Sequence, residues 1–120
     1  MARRKPKKGY VYLLQSTIDR SSFKFGCTSL TPERRCSAIN HKHQGSKFEV
    51  VARFQSLDIF KDECDVKGDL LPYGYGFISE FFDISEFDEE DRLKVGGVFG
   101  VVGRFISIGN KANAKARVGV

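Results

Sequence analysis

The run Gly9-Tyr10-Val11-Tyr12-Leu13-Leu14 limits what this chain can fold into more than any other segment. Tyr10, Tyr12 and Leu14 alternate with Val11 and Leu13, so both faces of an extended segment are apolar or aromatic. A strand of this kind is buried on both sides, which calls for a sheet flanked by helices. With 120 residues there is room for one core made from a short sheet and a few helices, but not for two domains.

The neighbouring segments fill in that architecture. Residues 15–22 are polar and read as a turn. Phe23–Cys27 reads as a second strand, with Phe23 and Phe25 on one face and Lys24 and Gly26 on the other. Two strands joined by a short polar loop imply an antiparallel hairpin. Thr31 is a natural N-cap, Pro32 suits the first helical position and Glu33 complements the helix dipole, so a helix is expected from there to about Asn40. Phe48–Phe54 alternates as a third strand. Asp58 is a candidate cap for a second helix, whose stripe is Ile59, Glu63, Val66 and Leu70. Pro72–Gly76 reads as a loop, Phe81–Ile84 as a short extended piece, and Glu86–Asp91 as the first turns of a third helix. Beyond it, Gly96, Gly97, Gly100 and Gly103 each cost roughly 1 kcal/mol in a helix, and the intervening valines suit strand equally well. The expected fold class is α/β (α+β), a small three-stranded antiparallel sheet flanked by helices. Residues 1–8 form a basic N-terminal arm, 9–108 the folded domain, and 109–120 a basic tail that reads as disordered.

Twenty Lys and Arg against fifteen Asp and Glu give a formal charge of +5. Arg3, Arg4, Lys5, Lys7 and Lys8 concentrate it at the start, and Lys111, Lys115 and Arg117 at the finish. Basic arms of this kind grip phosphates without reading sequence; a solubilising tail has the same composition. Cys27, Cys36 and Cys64 are odd in number and lack zinc-site spacing, so they read as reduced thiols in a cytoplasmic protein. No apolar stretch follows the basic N-terminus as in a signal peptide, and Val95–Gly103 is far too short to span a bilayer. No membrane association is expected.

Two positions sit oddly in a purely structural domain. Glu63 shares a stripe with apolar residues, where an ionised carboxylate is costly unless paired or bound to metal. Arg35 shares its helical face with Ala38 and Ile39, whereas Arg34 aligns with Ser37 and His41. Arg35 is therefore expected to point towards the sheet, where its planar fork can bond backbone carbonyls or clamp a phosphate. Tyr10 and Tyr12 read first as buried aromatics, although a phenol can also act on a reacting water. A mid-strand lysine such as Lys24 is ordinarily solvated.

Gly9-Tyr10-Val11-Tyr12, then Phe23-Lys24-Phe25-Gly26-Cys27-Thr28, then Thr31-Pro32-Glu33-Arg34-Arg35 with Asn40, resemble the GIY-YIG nuclease domain. The closer likeness is to its phage and bacterial branch, where the second motif reads K-(I/F)-G-x-T and a P-E-x-R helix follows. Glu63 and Ser79-Glu80-Phe81-Phe82 extend the likeness, which covers residues 9–85. The resemblance implies a metal-dependent endonuclease that hydrolyses phosphodiester bonds in DNA, with RNA left open. Tyr12 falls on the tyrosine that helps to activate water, and Lys24 where many members carry a second tyrosine. Gly26 lets backbone approach the substrate. Arg35 matches the arginine that stabilises charge on the phosphate, with Arg34 as the alternative one register away. Glu63 matches a single metal-binding glutamate for one Mg²⁺ or Mn²⁺, and His41 or His43 falls where some members use a histidine. Nucleic-acid contacts are implied for Arg3, Arg4, Lys5, Lys7, Lys8, Gly26, Arg34 and Arg35. The setting is the cytoplasm of a bacterium or a phage-infected host, as monomer or homodimer. Two other readings fit the same residues: a catalytically inactive nucleic-acid-binding module on this fold, and a phage-encoded interaction or inhibitor protein.

Overall fold

The computed structural model describes residues 5–42, 45, 47–71 and 81–118, with side chains described as far as Asn113. Four strands and four α-helices follow the chain as β1 (Gly9–Ser16), β2 (Ser22–Thr28), α1 (Pro32–Lys42), β3 (Phe48–Ser56), α2 (Ile59–Leu70), β4 (Phe81–Asp83), α3 (Glu89–Val95) and α4 (Gly97–Val118). A 3₁₀ turn, Ile84–Glu86, links β4 to α3. The sheet is antiparallel throughout, in the order β3-β1-β2-β4. The class is the expected mixed α/β one, with a correction to the strand count: there are four strands among the described residues, not three. The extended piece at Phe81–Asp83 pairs with β2 (Ser22 opposite Asp83, Lys24 opposite Phe81).

β1 lies at the centre, and Val11–Ser16 is buried along its whole length. On one face Val11 and Leu13 join Phe23, Phe25 and Phe54, and this layer is closed by Val66 and Leu70 of α2, Val95 of α3 and Val101 and Phe105 of α4. On the other face Tyr12 and Leu14 form a smaller cluster with Cys36 and Ile39 of α1, flanked by Phe48 and Val50. Burying each large apolar side chain is worth about 1.5–3 kcal/mol, so the first face carries most of the stability.

Local chemistry explains the boundaries. Thr31 caps α1 as expected: its Oγ1 accepts the Arg34 N–H at 3.3 Å. At the other end of α1, the Asn40 amide donates to the Phe48 carbonyl at 2.9 Å and accepts the Phe48 N–H at 2.8 Å, which fixes α1 to the first residue of β3. Asp58 holds the N-cap position of α2 but its side chain makes no capping bond. Ser56 works there instead, accepting the Asp58 N–H at 3.1 Å and bonding Asp62.

The C-terminal region departs furthest from expectation. Gly96 and Gly97 both have positive φ, 79° and 69°, which ends α3 and starts α4 in a new direction. The ambiguous valine run is helix, and residues from Gly109 onward continue it to Val118 instead of forming a disordered tail. Val98, Val101, Phe105, Ile108 and Ala112 make a helical stripe on the main core. A Cβ at Gly109 would meet the Phe54 ring at 2.7 Å, so the helix packs flush on β3 there. No helix among the described residues is long and apolar enough to cross a membrane. The expected Pro72–Gly76 loop lies outside the described residues.

A candidate active-site cleft on the thinly covered face

An open cleft of about 370 Å³ lies beside the smaller cluster, lined by Tyr12, Gly26, Cys27, Arg35, Phe60, Glu63 and Cys64. Four elements supply it: β1, β2, α1 and α2. Their convergence follows from topology. Tyr12 stands opposite Gly26 in the β1–β2 pair, while α1 and α2 both start where β2 and β3 end.

Tyr12 is 1% exposed, so its ring is core. Its hydroxyl nevertheless reaches the cleft, because Gly26 leaves room for it. A Cβ at Gly26 would lie 2.1 Å from the phenol oxygen, so any other residue would displace the tyrosine. Gly26 is therefore what lets the phenol lie across β2.

Arg35 departs from its expected place. The buried face of α1 is Pro32, Cys36 and Ile39, and Arg35 stands beside that stripe, exposed, with its side chain at the cleft rather than under the sheet. Among the described residues no ion pair engages Arg35; the neighbouring Glu33 is taken by Arg53. Arg34 is exposed and does not line the cleft. Glu63 lies near the core side as expected, with a side chain 13% exposed, and Lys67 one turn on approaches its carboxylate at 3.4 Å.

Two expected site residues are placed elsewhere. Lys24 precedes Gly26 by two residues, roughly 7 Å along the strand. It is not solvated: it is 4% exposed, its ammonium donates to the Phe25 carbonyl at 3.3 Å, and it sits 4.7 Å from the centroid of the Phe81 ring. His41 is exposed in the last turn of α1, about 9 Å of helical rise beyond Arg35, and is not among the cleft residues. His43, Arg3, Arg4, Ser79 and Glu80 lie outside the described residues. Lys5, Lys7 and Lys8 are exposed.

Sequence reasoning missed Cys27, Phe60 and Cys64. Phe60 precedes Glu63 by one helical turn and so shares its face, which is the signal that could have found it; Cys27 and Cys64 simply adjoin Gly26 and Glu63. All three cysteines are thiols. Cys36 is packed under the site: burial pushes its thiol pKa up, Glu49 adds to this, and the Asn40 amide opposes it. Its Sγ donates to the Phe48 carbonyl at 3.1 Å, a structural contact.

Among the described residues no group of three or more His, Cys, Asp or Glu side chains is arranged to hold a metal. The donor set in the cleft still suits one hard cation: a single carboxylate with room beside it matches magnesium, which keeps several waters and takes further oxygens from a phosphate substrate. Lys67 has three rotatable donors on a flexible stem and can yield the carboxylate. No protein-family model matches this chain, and no curated protein or solved structure matches it.

Proposed function

We propose that this chain is a metal-dependent endonuclease of the GIY-YIG type that hydrolyses phosphodiester bonds in DNA. The observation that carries the reading is the meeting of Tyr12, Arg35 and Glu63, from three separate elements, in one open cleft. Each supplies what phosphodiester hydrolysis needs. The Tyr12 oxygen orients the attacking water and, as the phenolate, takes its proton to become the phenol. The guanidinium of Arg35, unpaired among the described residues, offers two parallel N–H donors to the phosphate oxygens as charge builds on them. Glu63 would hold Mg²⁺ or Mn²⁺, which supplies charge neutralisation at the phosphate. Water adds to phosphorus, the P–O ester bond breaks, and the leaving oxygen is protonated.

In this reading Lys24 is a positioning residue: its stem and ammonium support β2 and β4 two residue pairs away from Gly26. His41 has no part in the reaction. The protein works in the cytoplasm of a bacterium or a phage-infected host, as a monomer that nicks one strand at a time or as a homodimer.

The Glu63–Lys67 ion pair favours a second reading, a nucleic-acid-binding module that does not cut. Nicking of supercoiled plasmid separates the two. With Mg²⁺ the wild-type chain should produce open circles, and both a chelator and Glu63→Gln should abolish them. Plasmid binding without nicking in Mg²⁺ or Mn²⁺ would leave the binding module as the better reading.

A further inference from the structure

The β1 register places several basic groups at one end of the sheet. Gly9 faces Ser56 and Tyr10 faces Thr28, so the start of β1 and the ends of β2 and β3 lie together. Three segments leave from this end: the arm before β1, the link from Thr28 into the first turn of α1, and the link from Ser56 into α2. The arm is anchored there, because the Ile59 N–H at the start of α2 donates to the Lys7 carbonyl at 2.9 Å. Lys5, Lys7 and Lys8 on the arm, and Arg34 and Arg35 on α1, are all exposed. Of the nearby acids, Glu33 is engaged by Arg53, Asp62 by Ser56 and Glu63 by Lys67, while Asp58 stands at the N-cap beside the anchor.

The opposite end of the sheet carries an acidic run, with Arg20, Lys42 and Lys47 also exposed there. There the Ile84 N–H donates to the Ser21 carbonyl at 3.0 Å, and the run Glu86, Asp88, Glu89, Glu90 and Asp91 follows.

We infer that the anchored arm and the first turn of α1 form a two-sided phosphate track, so that the partner is a nucleic-acid strand whose backbone crosses the cleft and is gripped on both sides. The track rests on the nuclease reading only for what happens between its two halves. The grip itself is sequence-independent and salt-dependent, since each lysine on a phosphate releases counterions.

The test is binding of a labelled DNA duplex to full-length Glu63→Gln protein, followed by fluorescence anisotropy over a range of salt. Lys5→Glu/Lys7→Glu/Lys8→Glu should flatten the plot of log Kd against log salt by about 2–3 units. Inserting Gly-Ser-Gly-Ser after Lys8 keeps every charge but moves the lysines off the Ile59 anchor, and should weaken Kd about fivefold by loss of preorganisation. Lys42→Glu/Lys47→Glu, at the other end, should change the slope by less than about half a unit. The track is overturned if the triple variant keeps the wild-type slope, if the insertion binds as tightly as the parent, or if the far-end pair matches the triple. Wild-type nicking measured in parallel keeps the two ideas apart. Cutting with no slope change in the triple variant removes the track alone. A flattened slope without any cutting removes the nuclease reading and leaves the track.

Discussion

The two faces of β1 are equally buried but differently covered. Val11 and Leu13 look into a thick layer closed by three helices and five phenylalanines, Phe23, Phe25, Phe54, Phe87 and Phe105. Tyr12 and Leu14 look into a cluster of four buried residues under one helix. Where cover is thick, apolar side chains fill every position. Where it is thin, α1 leaves the strand ends open, and buried Tyr12 lines the cleft. The cleft is the gap between the edge of α1 and the start of α2. The thick face carries most of the fold, and the cleft lies at the strand ends, where α1 of the thin face approaches α2 of the thick one.

Substitutions can break that division. The largest effect on stability belongs to the thick face: Phe105→Ala, removing a fully buried ring that packs beside Phe54, should cost about 3–5 kcal/mol in urea unfolding. A loss below about 1 kcal/mol would show that α4 contributes little to the core. On the thin face, Arg35→Ala should slow nicking by about 10²–10³-fold while the unfolding midpoint stays near wild type, since Arg35 is exposed. A large fall in stability would mean that Arg35 holds the fold instead. Asn40→Ala removes both bonds of its amide to Phe48 of β3 and should destabilise by about 1–3 kcal/mol; an unchanged midpoint would show that this amide does not hold α1 to β3.

The smallest effect is one of pH. Burial raises the Asp83 pKa, but hydrogen bonds from Ser85 and Ser22 outweigh it, and the carboxyl is held below its ordinary value of 3.8. A lowered carboxylate pKa stabilises the fold above the ordinary range and ceases to as pH falls through the lowered value. The wild-type advantage over Asp83→Asn should therefore shrink as unfolding is followed from about pH 7 down to about pH 3. An advantage that grows in acid would contradict the assignment.

How much could be read beforehand follows the same physics. β1, β2, α1, β3 and α2 carry a clear period of 2 or 3.6 with proper starts, so their positions were legible, whereas a shared site for Tyr12, Gly26 and Glu63 was expected only from the family resemblance. β4 has three residues and no period to read; only its pairing with Ser22–Lys24 makes it a strand. In α4 the glycine penalty obscured the stripe from Val98 to Ala112, which burial on the sheet outweighs. Arg35 was expected under the sheet because it is four residues from Ile39, but Pro32, Cys36 and Ile39 take that face and leave Arg35 at the rim. Lys24 was expected in water, because nothing local announces that Phe81, far away in the chain, will cover it.

In the proposed reading Tyr12 joins the two roles, core by its ring and catalytic by its hydroxyl. The most direct measurement is therefore the nicking rate and the melting temperature of Tyr12→Phe, taken on the same preparation as wild type. Loss of the hydroxyl alone should slow nicking by about 10²–10⁴-fold and leave the melting temperature within a few degrees. A rate equal to wild type, or a melting temperature that collapses along with the rate, would contradict a catalytic hydroxyl at this cleft.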